Sequence, residues 1–132
     1  MLLTRATEYA LLSLDSIRKA EKPIGAEQLA NELCIPRSFL AKILQSLARA
    51  EILESKKGAQ GGFILAKELN QISVREVIIA AEGKAPAVFD CTQYASTCPN
   101  GSIGTCSISP FLATFQHKVD DFLNGLMLGD IL

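Results

Sequence analysis

Apolar positions recur along the chain at two spacings, and the change from one to the other marks out its elements. Thr4 offers an N-cap hydroxyl, and Ala10, Leu14 and Ile17 follow at helical spacing to about Lys19. Pro23 and Gly25 interrupt the pattern, which makes Glu21 to Gly25 a loop. A short helix from Ala26 to Leu33 would bury Leu29, Ala30 and Leu33. Cys34 and Ile35 form a tight turn, and Pro36 opens a third helix to about Ala50, because proline suits a first helical turn. On that helix Leu40, Ile43, Leu44 and Leu47 fall at i, i+3, i+4 and i+7 and face inward. Ser38, Lys42, Gln45 and Arg49 take the opposite side, with no acidic residue among them.

Alternation then replaces the helical period. Ile52 to Lys56 and Phe63 to Ala66 predict two short strands, Leu53 and Ser55 opposing Phe63 and Leu65. Between them Lys57-Gly58-Ala59-Gln60-Gly61-Gly62 is a glycine-rich hairpin loop with cations at its base. A short helix, a tight turn, a second helix and then a hairpin is the order of a winged helix-turn-helix. Glycine would let the hairpin backbone approach a phosphate or enter a minor groove. A nucleotide phosphate cradle is set aside, because P-loop spacing and a following Gly-Lys-Ser/Thr are absent. Ser73 caps another helix with a stripe of Val74, Val77, Ile78 and Ala81, and Gly83 ends it.

From Gly83 to Pro110 the periodicity lapses, and an irregular stretch of that length is usually functional or disordered. The final helix begins near Ser109-Pro110. Ile108, Leu112, Phe115, Val119, Phe122 and Leu126 follow 4-3-4-3-4 spacing, a coiled-coil-like seam. Such a seam suits the core of its own subunit or a partner helix, and its terminal position favours the partner. The expected fold is mainly α with a small β-hairpin wing. Residues 1–83 form the winged helix-turn-helix domain, 84–108 a cysteine-bearing loop, and 109–132 a dimerisation helix and tail.

Composition narrows the classes. At 132 residues one domain with a modest core is expected, and 48% hydrophobic against 20% charged residues excludes a wholly disordered chain. The longest apolar runs, such as Val77 to Ala81, fall far short of the roughly 20 residues that cross a bilayer. No basic segment followed by an apolar stretch and a cleavage site opens the chain, so a cytoplasmic protein is expected. The net charge of −1 conceals an asymmetry. From Ile35 to Lys67 six basic residues face two acidic ones, a net of +4; from Pro86 to Leu132 one faces four, a net of −3. A basic binding face with an acidic remainder fits that distribution. An enzyme is not expected, because no Cys-x-x-Cys pair, Ser/His/Asp set or carboxylate pair at catalytic spacing is present.

Cys91, Cys98 and Cys106 are separated by six and seven residues among small and turn-forming residues. Three is an odd set for a disulfide framework. Structural zinc favours close pairs and four protein ligands. An iron–sulfur cluster accepts wider spacings, so cluster, zinc and redox thiols all stand, with the cluster foremost. Candidates for a fourth ligand are His117, some three helical turns past Cys106, and Cys34, expected to be a small buried apolar side chain. Ser109 is a poor iron ligand. Glu8 on the first helix is either a surface glutamate or a carboxylate reaching the loop of another subunit.

Leu3-Thr4, Tyr9-Ala10, the helix-turn-helix, Gly61-Gly62-Phe63, the spaced cysteines and the long terminal helix together resemble the Rrf2 family of bacterial regulators, over essentially the whole chain. The resemblance implies a homodimeric winged-helix transcription factor whose long helices cross at the interface, through Leu112, Phe115, Val119, Phe122 and Leu126. It implies Cys91, Cys98 and Cys106 as ligands of a [2Fe-2S] or [4Fe-4S] cluster, although the family's gaps of five and five are six and seven here. One branch completes the ligand set with a His that follows the third Cys after two intervening residues, where this chain has Ser109. Another uses an acidic residue of the partner's first helix, which Glu8 matches. On double-stranded DNA, Ser38, Lys42 and Gln45 would meet base edges while Arg37, Lys56, Lys57 and Gln60 engage backbone or minor groove. Two recognition helices about 34 Å apart would fit a palindromic operator. The alternative is a winged-helix regulator without a cluster, controlled by a small molecule, a partner protein or thiol oxidation.

Overall fold

The computed structural model describes residues 3–88 and 106–132. Helix α1 (Arg5–Lys19) starts where the Thr4 hydroxyl accepts from the Ala6 N–H at 3.2 Å, and it buries Ala10, Leu14 and Ile17. Helix α2 (Ala26–Leu33) ends at Cys34, which is left-handed at φ 56° and donates its N–H to Ala30 O. That conformation places Ile35 in the core and leaves Cys34 exposed, correcting the buried position expected for it. The physical reason is the cap itself: one left-handed residue reverses the chain, and only one of the two neighbours can then point inward.

Helix α3 (Arg37–Arg49) buries the expected stripe of Leu40, Ile43, Leu44 and Leu47. Strands β1 (Leu53–Lys56) and β2 (Gly62–Leu65) pair antiparallel, Leu53 opposite Leu65 and Ser55 opposite Phe63. The hairpin is tied to the body through Ile24, which exchanges two backbone hydrogen bonds with Phe63 at 2.8 and 3.2 Å. Gly62 sits at φ +150° against the Ile24 backbone, where a Cβ would collide, so this crossing needs glycine. A 3₁₀ turn (Leu69–Gln71) leads to α4 (Val74–Glu82), opened by a reciprocal cap between Ser73 and Glu76 and closed by left-handed Gly83.

Helix α5 (Ser109–Gly125) and the short α6 (Leu128–Ile131) complete the described chain. Leu126 O accepts from Val74 N–H at 2.8 Å, and Leu128 N–H donates to Ile72 O at 2.9 Å. Leu123 and Leu128 thereby enter the same core as Leu14, Leu44, Val77 and Ile78. The expected single seam on α5 divides. Leu112 is buried and Val119 and Leu126 are partly buried against their own chain, whereas Ile108, Phe111, Phe115 and Phe122 stand outward, 40% to 66% exposed. The inward stripe is Leu112, Gln116, Asp120 and Leu123. A straight helix of 3.6 residues per turn drifts off a seven-residue repeat, and two polar members disguise the buried face. Among the described residues no helix is long and apolar enough to cross a membrane.

Candidate nucleic-acid interface and cysteine-bearing segment

The inward stripe of α3 fixes its rotation, and Ser38, Lys42, Gln45 and Arg49 accordingly all face solvent. No acidic residue lies in its first turn, and Pro36 supplies no side-chain cap, so the exposed N-terminal amides favour an anion. Arg37 at that end approaches Glu27 at 3.8 Å, both mostly exposed, a weak contact that a phosphate can replace. Arg49 donates to the Ser46 hydroxyl at 3.3 Å. Phe39, 43% exposed, packs edge-on against Tyr9 with ring centroids 5.6 Å apart, which places an aromatic edge beside Ser38. The helical stripes passed over it, because it belongs to neither.

Lys56, Lys57, Gly58, Ala59 and Gln60 form the exposed tip of the hairpin. Gly58 is left-handed at φ +106° and accepts from the Gly61 N–H at 3.0 Å. Gly61 in turn lies against Lys56 O, too close for any Cβ. The tip is thus a tight turn carried on a braced strand pair, with Lys56 held by Glu54 at 2.7 Å. The structure brings the hairpin to the C-terminal end of α3, and every expected DNA-contact residue lies on the exposed surface.

Cys91 and Cys98 lie outside the described residues. Cys106 is a partly exposed free thiol, and its carbonyl accepts from the Ser109 N–H at 3.2 Å at the start of α5. Glu8 is exposed on α1, where Arg5 Nη1 donates to both of its oxygens at 2.9 and 2.8 Å. His117 is exposed beside Asp121 at 3.3 Å. Among the described residues no three His, Cys, Asp or Glu side chains converge as a metal site.

Two polar joints escaped the sequence. Glu82 at the end of α4 accepts from the hydroxyls of Thr4 and Thr7 at 2.5 and 2.6 Å, on α1. Gln116 on α5 is buried and bonds the backbone of Pro86 and Val88. Hydropathy assigns all four of these polar side chains to solvent, and only the capping role of Thr4 was visible beforehand.

The model of the Rrf2 family, described as iron-dependent transcriptional regulators, matches residues 3–132. The HTH-type transcriptional regulator IscR of Pectobacterium atrosepticum is 27% identical, over 100% of this chain and 79% of its own. The HTH-type transcriptional repressor NsrR of Streptomyces coelicolor is also 27% identical, over 100% of this chain and 88% of its own. Among solved structures, CymR, the global cysteine regulator of B. subtilis, superposes with a TM-score of 0.71 at 18% identity, covering 99% of this chain and 95% of that one.

Proposed function

Because the chain belongs to the Rrf2 family of transcriptional regulators, which are not enzymes, we propose that it is a homodimer that binds a palindromic operator under the control of an iron–sulfur cluster. The observation that carries the DNA-binding part is the acid-free outer face of α3, standing beside an exposed, glycine-braced cationic hairpin. Ser38, Lys42 and Gln45 meet base edges, and Arg37, Lys56, Lys57 and Gln60 take phosphates or the minor groove. Residues 1–83 carry this recognition, 84–108 the sensing stretch and 109–132 the dimer contact. The outward Phe115 and Phe122, with Ile108 and Phe111, form that contact, and Leu112, Val119 and Leu126 support it from behind.

The donor chemistry fits a cluster. Cys106 is a free and partly exposed thiol, Cys91 and Cys98 supply two more, and Glu8 is a carboxylate on an exposed helix face. These three cysteines would hold the group, with Glu8 of the partner subunit as the fourth ligand. When bound, it would supply a centre sensitive to nitric oxide, oxidation and iron supply. Without it the three cysteines and Glu8 would be free, and DNA binding would change only by as much as DNA prefers one state of the dimer.

Purification without oxygen tests this. Iron, acid-labile sulfide and absorption at about 300–450 nm are expected, and Glu8→Ala should release iron faster while remaining dimeric. Salt-dependent, sequence-specific DNA binding without iron or sulfide would leave the second reading, a regulator controlled by a small molecule, a partner protein or thiol oxidation. That reading is favoured by Arg5, which engages both Glu8 oxygens within one chain, and by the exposed Cys34 thiol in the helix-turn-helix turn. Absence of DNA binding overturns both.

A further inference from the structure

Gln116 is 0% exposed midway along α5, and its amide is spent on a single short piece of backbone. Its Nε2 donates to Pro86 O at 2.7 Å, and its Oε1 accepts from the Val88 N–H at 2.9 Å. One donor and one acceptor set against a carbonyl and an N–H is what a neighbouring strand would offer, so the side chain stands in for a strand partner. The same Nε2 donates to Asp120 Oδ1 at 3.1 Å, and Asp120, 8% exposed, accepts from Arg75 Nε of α4 at 3.5 Å. A leucine would fill this volume without any polar group to desolvate. Burying an amide is balanced only if the backbone opposite is held in one place, so the residue specifies geometry more than it adds stability.

The chain held in this way leads to Cys91, three residues past Val88. We propose that Gln116 is a positioning residue for the start of the cysteine-bearing stretch: it fixes the backbone at 86–88 and ties that point, through Asp120 and Arg75, to α4 and the DNA-binding body. Helix α4 packs on both α1 and α3, so the fixed point belongs to the body that carries the recognition helix. This inference rests on the function proposed above for Cys91, and its test separates the two.

The experiment compares the full-length wild-type chain with Gln116→Leu. In the metal-free protein, exchange of the Val88 amide should accelerate about tenfold or more, the ratio for one lost hydrogen bond, while core amides of α3 keep their protection. Iodoacetamide should modify Cys91 faster relative to Cys34, which caps the end of α2 far from the clamp in sequence and serves as the internal reference. In iron-loaded protein, release of iron to a chelator should quicken about tenfold, the usual scale for a residue that orients a ligand. Unchanged Val88 exchange overturns the proposal, as does faster exchange with an unchanged Cys91-to-Cys34 ratio. If the wild type takes up no iron, the cluster reading fails alone, and the exchange and alkylation results still decide the role of Gln116. Should Gln116→Leu not fold, Gln116→Glu keeps the volume and the acceptor for Val88 while removing the donor to Pro86. Because the acceptor for Val88 is kept, the Cys91-to-Cys34 alkylation ratio then decides: a rise upholds the role, and an unchanged ratio overturns it.

Discussion

The Glu82 carboxylate accepts from the Thr4 hydroxyl at 2.5 Å, the Thr7 hydroxyl at 2.6 Å and the Thr4 N–H at 3.2 Å, joining the last turn of α4 to the start of α1. Burial works to raise its pKa, and the threonine hydrogen bonds outweigh burial, so it lies below the ordinary glutamate value of 4.5. A pKa depressed in the folded state means stabilisation that is complete above the unfolded value and disappears as the pH falls through the folded one. Thr7→Val removes the buried hydroxyl at constant volume and should cost about 1.5 kcal/mol at neutral pH, as expected for a bond to a charged acceptor. That loss should shrink as the pH falls below 4.5 and on through the lower folded-state pKa of Glu82. Urea titrations at the two pH values check it, and an equal loss at both would remove the carboxylate from the account. Thr7 and Gln116 show why such residues were illegible beforehand. Hydropathy places a polar side chain outside, and only the position of its partner, 75 residues away for Thr7 and 30 for Gln116, brings it in. Cys34 illustrates the converse, since its apolar neighbours say nothing of a left-handed φ.

Helix α3 was the most legible element, because its two faces differ in both hydropathy and charge over three full turns, so one stripe determined the other. The hairpin was legible from its glycines, and its register followed once Leu53 and Leu65 had to share a face. What the spacing could not supply was the brace: the Ile24–Phe63 pairing depends on where a loop happens to cross. That brace anchors β2 and so the backbone that carries the wing tip, and a cation on an anchored turn loses less freedom on meeting a phosphate than one on a loose loop. For Lys57→Ala, DNA affinity should therefore fall across all sequences. The slope of log K against log salt should lose about one unit, the signature of one phosphate contact. Binding measured from low to moderate salt on operator and random DNA checks this; an unchanged slope places Lys57 away from the backbone. Lys56 is a less clean probe, because its ion pair with Glu54 at 2.7 Å already neutralises part of its charge.

At the scale of the molecule, α5 has two opposed duties, and adjacent residues separate them. Leu123 joins the core shared with α1 and α4, while Phe122, one residue before it, is 66% exposed. Phe111 and Phe115 stack outward with ring centroids 6.0 Å apart, continuing the same exposed face toward Ile108. Each such side chain gains roughly 1.5–3 kcal/mol when fully buried, so a helix face carrying four of them is costly to leave in water. If the face is where two copies meet, Phe122→Asp should give a monomer in sedimentation velocity at micromolar concentration, with its thermal unfolding still cooperative. Operator affinity should fall with it, because a palindrome then gains no second half-site contact. Leu123→Ala should do the opposite. It should lose roughly 2–5 kcal/mol of stability by opening a core cavity, yet sediment as the wild type does while folded. A Phe122→Asp chain that remains dimeric would move the interface elsewhere, and a Leu123→Ala chain that dissociates while folded would mean that the core and the interface are a single surface. The contrast between neighbours is what makes the pair informative, since a general weakening of α5 would affect both variants in the same direction.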